Sequence, residues 1–436
     1  MKVGMISLGC PKNRIASEQM LKKLADAGFE LTNEETEAEA IVINTCAFIE
    51  DAKQEAINTI LETARLKETG RLKKLIVAGC LSELYRDEII SEMPEVDAVI
   101  GAGSYDEVVT ALEGAVRGET PVIIGDNCAA VSETGRIVST GEVWAYLLIA
   151  DGCDNHCSYC LIPKIRGRFR SRPMEKILEE ARALAERGYK ELILVAQDLT
   201  HYGFDIYGKP SLSMLLRELC KIDGLRWIRL HYLYPHELDE ELIEVIATEE
   251  KIVKYIDIPI QHIDDRILKR MNRRDTGASI RALFKRLRER IPGIVLRTSL
   301  ITGLPGEGEA EFEELCEFLR EAKIERAGVF PFSPEDGTPA ARMEYPEKDV
   351  AMERAALVER LQAEVMDEWE ASLVGREVEA ICDGTDPESG EMLGRCWFDS
   401  PGIDGGAVIE GECNPGDIVR IRVESAEDGL LRGRIV

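Results

Sequence analysis

"DGCDNHCSYC", residues 151–160, contains three cysteines, Cys153, Cys157 and Cys160, in the spacing C-x₃-C-x₂-C. Thiolates are soft ligands, and cysteines this close together commonly bind zinc or an iron–sulfur cluster. A structural zinc site and a fully ligated cluster both use four protein ligands. His156 as a fourth ligand would strain the loop in which it lies. The motif therefore indicates a metal site with one open position, with zinc as the alternative to a cluster.

The size and composition of the chain indicate a globular protein of two or three domains. It has 436 residues, 45% of them hydrophobic, and no stretch approaches the roughly 20 apolar residues of a membrane span. The opening "MKVGMISLGC" reaches a cysteine and a proline too soon for a secretory signal. Twelve cysteines scattered through such a chain favour metal binding or catalysis over disulfides. We therefore expect a cytoplasmic protein that does not bind membranes.

Three apolar runs near the start of the chain each end in a cysteine. They are "KVGMISLGC", "AIVINTC" and "KKLIVAGC", which end at Cys10, Cys46 and Cys80, and a helical pattern follows each. This alternation predicts a parallel-sheet α/β domain over residues 1–135. Ligands of such sheets bind at the carboxyl ends of the strands. We therefore expect the three cysteines to converge on a second site with three ligands, the alternative being ordinary buried cysteines.

Residues 136–370 repeat the β/α pattern six times, which predicts a partial (β/α)6 barrel with its chemistry at the carboxyl ends of the strands. The cysteine motif directly follows the first strand. Gln197 and Asp198 lie at the carboxyl end of the second, and either a small-molecule cofactor or a loop could be their partner. The six strand candidates are "WAYLLIAD" (144–151), "KELILVAQD" (190–198), "LRWIRLHY" (225–232), "IVKYIDIPIQ" (252–261), "GIVLRTSLITG" (293–303) and "ERAGVFPF" (325–332).

Residues 371–436 consist of short runs broken by glycine, aspartate and proline, which predict a small antiparallel β-barrel. The segment holds fourteen carboxylates and six arginines but no lysine, and the whole chain has a net charge of −27. Binding of a nucleic-acid backbone requires clusters of lysine and arginine. The acidity therefore argues against RNA as the main partner and suits a basic protein, unless it merely keeps the surface solvated.

Two other features of the sequence, a basic run and six further cysteines, lie outside these candidate sites. The one strongly basic run, "KIRGRFRSRP" (164–173), could attract a carboxylate, a phosphate or acidic neighbours in the fold. Six further cysteines lack ligand spacing, and we interpret them as packing residues: Cys128, Cys220, Cys316, Cys382, Cys396 and Cys413.

The C-x₃-C-x₂-C spacing, with Tyr159 before its last cysteine, resembles the signature of the radical S-adenosylmethionine superfamily. The resemblance implies a [4Fe–4S] cluster on Cys153, Cys157 and Cys160 whose open iron binds S-adenosylmethionine. In that superfamily, one electron from the cluster cleaves the sulfonium to a 5′-deoxyadenosyl radical, which removes hydrogen from an unactivated carbon. Tyr159, Gln197 and Asp198 are then candidate contacts of S-adenosylmethionine.

Two sets of three cysteines, followed by a small terminal barrel, make the chain similar to the methylthiotransferases along nearly its whole length. This resemblance implies a second [4Fe–4S] cluster, on Cys10, Cys46 and Cys80, that donates methylated sulfur. It also implies a terminal TRAM domain and no catalytic residue beyond the cluster ligands. The net reaction of the family replaces C–H by C–SCH₃.

Two stretches, "SLGCPKNRIASE" around Cys10 and "YIDIPIQHIDDRILKRMNRR" (255–274), resemble the RimO branch of this family. That branch modifies the β-carbon of an aspartate in ribosomal protein uS12, and the sister branch, our alternative, modifies an adenosine of transfer RNA. The acidic charge also favours the protein substrate. The implied partner is uS12, free or in the small ribosomal subunit, and the electron donor and sulfur source are not identified by the sequence.

Overall fold

The amino-terminal part of the chain forms a parallel sheet between helices. The computed structural model describes residues 1–436, apart from the side chain of Thr69. The strands lie in the order β2-β1-β3-β4-β5-β6, and every pairing is parallel. The elements are β1 (Lys2–Ser7), α1 (Pro11–Asp26), β2 (Glu30–Leu31), β3 (Ala40–Thr45), α2 (Glu50–Ala64), α3 (Leu66–Thr69), β4 (Lys74–Gly79), α4 (Cys80–Glu92), β5 (Ala98–Gly101), α5 (Val108–Val116) and β6 (Val122–Ile123), with 3₁₀ turns at 35–37 and 105–107.

Strand β3 shows why this sheet has helices on both faces. All six of its residues are buried. Ile41 and Ile43 pack in one core with residues of α2 and α4, whereas Ala40 and Val42 pack in another with residues of α1 and α5. Successive side chains of a strand point to opposite faces, so a strand that is apolar throughout requires a cover on each side.

The central part contains a second, open sheet in the order β7-β10-β11-β12-β13-β14, whose four pairings from β10 to β14 are parallel. Strands β8 and β9 form a separate antiparallel pair. The elements are β7 (Trp144–Leu148), β8 (Ala150–Asp151), α6 (Ile162–Ile165), β9 (Arg170–Ser171), α7 (Met174–Glu186), β10 (Glu191–Val195), α8 (Phe204–Tyr207), α9 (Leu212–Cys220), β11 (Trp227–Leu230), α10 (Glu240–Thr248), β12 (Ile252–Asp257), α11 (Asp265–Arg270), α12 (Gly277–Arg290), β13 (Val295–Thr302), α13 (Glu309–Ala322), β14 (Arg326–Pro331) and α14 (Lys348–Ala371), with 3₁₀ turns at 235–237 and 340–342.

The carboxyl-terminal strands close into a barrel in the order β15-β16-β17-β19-β18. Four pairings are antiparallel, but β17 and β19 run parallel. Five strands in a closed ring cannot all alternate in direction, so a purely antiparallel barrel is excluded and one neighbouring pair must be parallel. The strands are β15 (Glu377–Thr385), β16 (Met392–Cys396), β17 (Gly406–Glu410), β18 (Ile418–Glu427) and β19 (Leu430–Ile435).

The predicted fold class, a parallel α/β part, a partial β/α barrel and a terminal β-barrel, is confirmed. The chain forms two compact units, of which the first consists of Met1–Ser139, Leu148–Arg172 and Ser333–Ala341, and the second of Thr140–Leu147, Pro173–Phe332 and Arg342–Val436. Both sets of three cysteines therefore belong to the first unit. Among the residues described, no helix is long and apolar enough to cross a membrane.

Candidate metal centres

The first three cysteines lie at the carboxyl ends of three adjacent parallel strands. Cys10 follows β1 and precedes α1, Cys46 directly follows β3, and Cys80 directly follows β4 as the first residue of α4. Because β1, β3 and β4 are neighbours in the sheet, their ends lie at the same edge. Cys46 and Cys80 are buried and Cys10 is half-buried. We call Cys10, Cys46 and Cys80 the strand-end triad.

The charges around the strand-end triad act differently on its three thiols. Burial raises the pKa of Cys10, but the positive charges of Lys12 and Arg166 outweigh burial and bring this pKa below its ordinary value. Burial raises the pKa of Cys46, and it raises the pKa of Cys80 to about 12 although Arg166 opposes it. Thiols must lose their protons to ligate a metal. A metal at this site would therefore displace protons from thiols that burial keeps neutral.

The turn before Cys80 depends on a glycine. Gly79 has φ 102° and ψ −151°, a backbone conformation reached almost only by glycine. A Cβ atom there would lie 2.5 Å from the carbonyl oxygen of Thr45 and 2.4 Å from Oδ1 of Asn44. The close approach of β3 and β4 at the triad therefore requires residue 79 to have no side chain.

Gly79→Ala is expected to lower the free energy of unfolding by about 3 kcal/mol or more. Backbone strain accounts for about 1–3 kcal/mol, and the clash with rigid backbone adds to it. Chemical denaturation followed by circular dichroism measures the loss. Gly118→Ala is the matched control, because φ is 86° there and nothing lies within 4 Å of the added Cβ. Equal losses in the two variants would contradict the steric argument.

The other three cysteines, which we call the loop triad, lie in an irregular loop between β8 and α6. The loop begins with Gly152, whose φ is 77° and whose added Cβ would lie 2.0 Å from the carbonyl oxygen of Arg168. The amide of Cys153 donates to the carbonyl of Gly167 at 3.2 Å, and that of Cys160 donates to the carbonyl of Cys157 at 3.0 Å. These contacts fold the loop back on itself, so that its thiols lie together.

Backbone amides also reach the sulfur atoms of the loop triad. The amide of Asn155 donates to Sγ of Cys153 at 3.5 Å, and the amide of Ile162 donates to Sγ of Cys160 at 3.4 Å. Burial, reinforced by the neighbouring thiols Cys157 and Cys153, raises the pKa of Cys160. Such amides stabilise negative charge on sulfur and are one means by which proteins tune clusters.

The geometry of the two triads differs from that of a site for a single metal ion. In the described part of the chain, no group of three or more His, Cys, Asp or Glu side chains is arranged to hold a single ion. A single zinc ion would need its sulfurs about 2.3 Å from one point. An iron–sulfur cluster is larger, so its thiolates stand further apart. His156 is exposed, and in the described part of the chain it belongs to no group of side chains that could hold a metal ion.

The hydroxyl of Tyr105 gives a second indication that the strand-end triad suits a larger group. This hydroxyl is buried and lacks a hydrogen-bond partner among the described residues. Burial raises the pKa of Tyr105, and its hydroxyl interacts electrostatically with Cys80 and Cys10. A buried donor without an acceptor is costly, and a cluster sulfide would supply one. Both triads therefore fit iron–sulfur clusters. Tyr105 lies in an ordinary 3₁₀ turn, and no sequence signal pointed to it.

The predicted contacts of S-adenosylmethionine lie in both units. Tyr159 is half-buried in the loop triad's own loop. Gln197 and Asp198 lie in the second unit, just after β10. Oδ1 of Asp198 accepts hydrogen bonds from the amide of Thr200 at 3.0 Å and from its hydroxyl. Asp198 thus holds its own loop, and a role of these three residues in cofactor binding stays a prediction.

Three arginines of the basic run after the loop triad form ion pairs within the first unit. Nη1 of Arg166 lies 3.2 Å from Asp151, Arg170 lies 3.7 Å from the same carboxylate, and Arg172 lies 2.6 Å from Glu133. The acidic neighbours in the fold are therefore its partners.

The six further cysteines differ in burial. Cys316, Cys382 and Cys396 are buried, and Cys220 and Cys413 are half-buried. Cys128 is exposed, so its interpretation as a packing residue is wrong.

Three family models match the chain. Residues 2–101 match the Uncharacterized protein family UPF0004, residues 147–319 match the Radical SAM superfamily, and residues 374–436 match the TRAM domain. Among solved structures, the radical S-adenosylmethionine methyltransferase TsrM from Kitasatospora setae, which contains cobalamin and a [4Fe–4S] cluster, aligns with a TM-score of 0.56 at 15% identity, over 78% of this chain and 73% of that chain. OxsB, a cobalamin-dependent S-adenosylmethionine radical enzyme, aligns with a TM-score of 0.52 at 13% identity, over 82% of this chain and 56% of its own. At these identities the likeness shows the fold alone.

Sequence relatives match the chain from end to end. The ribosomal protein uS12 methylthiotransferase RimO of Lachnoclostridium phytofermentans is 48% identical over 99% of this chain and 99% of its own length. RimO of Geobacter sulfurreducens is also 48% identical, over 100% of this chain and 98% of its own length. These matches confirm the family predicted from the two cysteine triads, and the chain belongs to the RimO family of ribosomal protein uS12 methylthiotransferases.

Proposed function

We propose that the chain is a methylthiotransferase that replaces a C–H bond at the β-carbon of an aspartate in ribosomal protein uS12 with C–SCH₃. The observation that carries the proposal is the pair of cysteine triads, both in one compact unit and each with three thiols rather than four. A cluster on three thiolates keeps one iron open for a small molecule. The cytoplasm, where ribosomes are made, is the proposed location.

Two [4Fe–4S] clusters are the proposed cofactors, together with S-adenosylmethionine. Cys153, Cys157 and Cys160 would hold the first cluster, and the strand-end triad would hold the second. When bound, the first would supply the electron that cleaves S-adenosylmethionine and the second the sulfur that is transferred.

The protein's own residues have three tasks in this proposal. The thiolates fix the positions of the clusters, the amides of Asn155 and Ile162 stabilise charge on the loop-triad sulfurs, and the buried surroundings of Cys46 and Cys80 exclude water. Tyr159, Gln197 and Asp198 are proposed to contact S-adenosylmethionine.

The surface of the terminal barrel supports a basic protein as the substrate. Over residues 374–436, eight carboxylate side chains are exposed, whereas only four arginine side chains are exposed. Three of those arginines, Arg420, Arg422 and Arg434, form ion pairs with glutamates of the barrel. The remaining potential is negative, which repels a phosphate backbone and attracts a basic protein.

The test uses the full chain, reconstituted with iron and sulfide under anaerobic conditions. It receives reductant, a sulfide source and S-adenosylmethionine, with uS12 in one reaction and unmodified transfer RNA in another. Mass spectrometry is expected to find a methylthio group on an aspartate of uS12 and none on the RNA. Modification of the RNA instead would contradict the proposed substrate, and absence of 5′-deoxyadenosine from both reactions would contradict the proposed chemistry.

A further inference from the structure

One buried side chain connects the two triads of the first unit. Arg166 lies six residues after Cys160 and is 4% exposed. Its Nη1 donates to both carboxylate oxygens of Asp151 at 3.2 Å, just before the loop triad. Its Nη2 donates to Oδ1 of Asn13 at 2.6 Å, just after Cys10. The guanidinium is thus held from both sides.

Asn13, which receives that hydrogen bond, ties the strand ends of the other triad together. Its Nδ2 donates to the carbonyl of Leu8, just after β1, at 3.0 Å and to that of Thr45, the last residue of β3, at 2.8 Å. Its Oδ1 also lies 3.7 Å from Sγ of Cys80. Arg166 therefore contacts a side chain that is hydrogen-bonded to all three arms of the strand-end triad.

The charge of Arg166 acts on the strand-end thiols. The guanidinium lies close enough to Cys10, Cys46 and Cys80 to interact electrostatically with all three thiols. An arginine side chain is effectively always protonated in proteins, so this buried guanidinium places a positive charge beside the triad. Three thiolates and a cluster at the strand-end triad would carry negative charge next to this guanidinium.

We propose that Arg166 is a positioning residue that supplies the buried positive charge for the iron–sulfur cluster on Cys10, Cys46 and Cys80 and thereby sets its reduction potential. The inference rests on the ligand assignment of the proposed function. The side chain comes from the residue that directly follows α6, the short helix next to the loop triad, so one segment of the chain would serve both clusters. Arginine suits this task because its planar fork donates to Asn13 and Asp151 at the same time.

The test isolates the strand-end cluster. In the full chain with Cys153, Cys157 and Cys160 replaced by alanine, only the strand-end triad remains to bind iron. Arg166→Gln, Arg166→Lys and Arg168→Gln are compared in this background after anaerobic reconstitution. Arg168 is the matched control because it lies on the same loop with its side chain 81% exposed. Iron and sulfide content are measured, together with the midpoint potential from a redox titration followed by electron paramagnetic resonance.

Loss of the positive charge disfavours the reduced, more negative cluster. Arg166→Gln is therefore expected to lower the ratio of reduced to oxidised cluster at least tenfold at a fixed potential, which is about 59 mV for a one-electron couple. Arg166→Lys is expected to retain most of the parent potential, and Arg168→Gln all of it. A variant Arg166→Gln with full iron content and the parent potential would overturn the inference.

The iron content of the variants distinguishes a requirement for charge from a steric role. If Arg166→Gln binds no iron while Arg166→Lys binds it, the charge is required and the inference is supported. If both variants lose iron, the role of Arg166 is steric and the inference is wrong. If the background protein binds no cluster, the ligand assignment is wrong and the inference is wrong with it. If the background protein binds a cluster and Arg166→Gln leaves its midpoint potential unchanged, only the inference about Arg166 is wrong.

Discussion

Replacing Cys153 with alanine is expected to abolish both the cleavage of S-adenosylmethionine and the modification of uS12, whereas Cys80→Ala is expected to abolish only the modification. Each change removes one of three thiolates from a different triad. Loss of a residue that only hydrogen-bonds to a metal ligand lowers metal affinity or activity about 10–100-fold. We therefore expect loss of a ligand itself to lower the affected activity at least about 100-fold. Chromatography of 5′-deoxyadenosine and mass spectrometry of uS12 measure the two activities separately.

Cys316→Ala is the control for these variants, because Cys316 is buried but belongs to α13 rather than to a triad. It is expected to retain the iron content and both activities, and each triad variant is expected to lose about half of the iron. If Cys80→Ala kept the full iron content, the strand-end triad would not be a cluster site. If it also lost cleavage of S-adenosylmethionine, the two triads would not have separate roles.

Glu191→Ala is expected to destabilise the second unit by about 3–5 kcal/mol, the usual cost of breaking a buried ion pair. Oε1 of Glu191 lies 2.8 Å from Nε of Arg229, and Oε2 lies 2.6 Å from Nη1 of Arg395. All three side chains are buried. The substitution would leave two guanidinium groups in a dry environment without this shared carboxylate, although Tyr255 faces one of them at 4.7 Å.

The pH dependence of this contribution follows from the pKa of Glu191. Burial would raise that pKa, but the charges of Arg395 and Arg229 outweigh burial and hold it below the ordinary value. The contribution is therefore fully present above the pKa of an unfolded glutamate, about 4.3, and is lost as the pH falls through the lower pKa of the folded state.

Glu241→Ala is the matched control for Glu191→Ala. Glu241 also lies 2.6 Å from an arginine, Arg217, but the two side chains are 63% and 43% exposed. An exposed pair contributes about 0–1 kcal/mol. Urea denaturation of both variants at pH 7, followed by circular dichroism, measures the difference. Equal losses of unfolding free energy would show that burial does not determine the effect.

Local pattern predicted most of the fold. The runs that end at Cys10, Cys46 and Cys80 became β1, β3 and β4, and the short runs of residues 371–436 became the strands of the terminal barrel. The strands that were not predicted are short. β2, β6 and β9 have two residues each, and β5 has four, too few to produce a periodic pattern. The helix after Cys10 begins directly at Pro11, because proline suits the first turn of a helix.

The sequence by itself indicated which thiols are candidate cluster ligands, because thiols at strand ends and in a C-x₃-C-x₂-C loop are recognisable from residue type and spacing alone. Only the tertiary structure decided what surrounds them. Arg166 meets Asn13 across 153 positions of the chain, and Glu191 meets Arg395 across 204. Buried charges require partners, but an ion pair carries no spacing signal, so its partner is determined by the packing of strands and loops rather than by the local sequence.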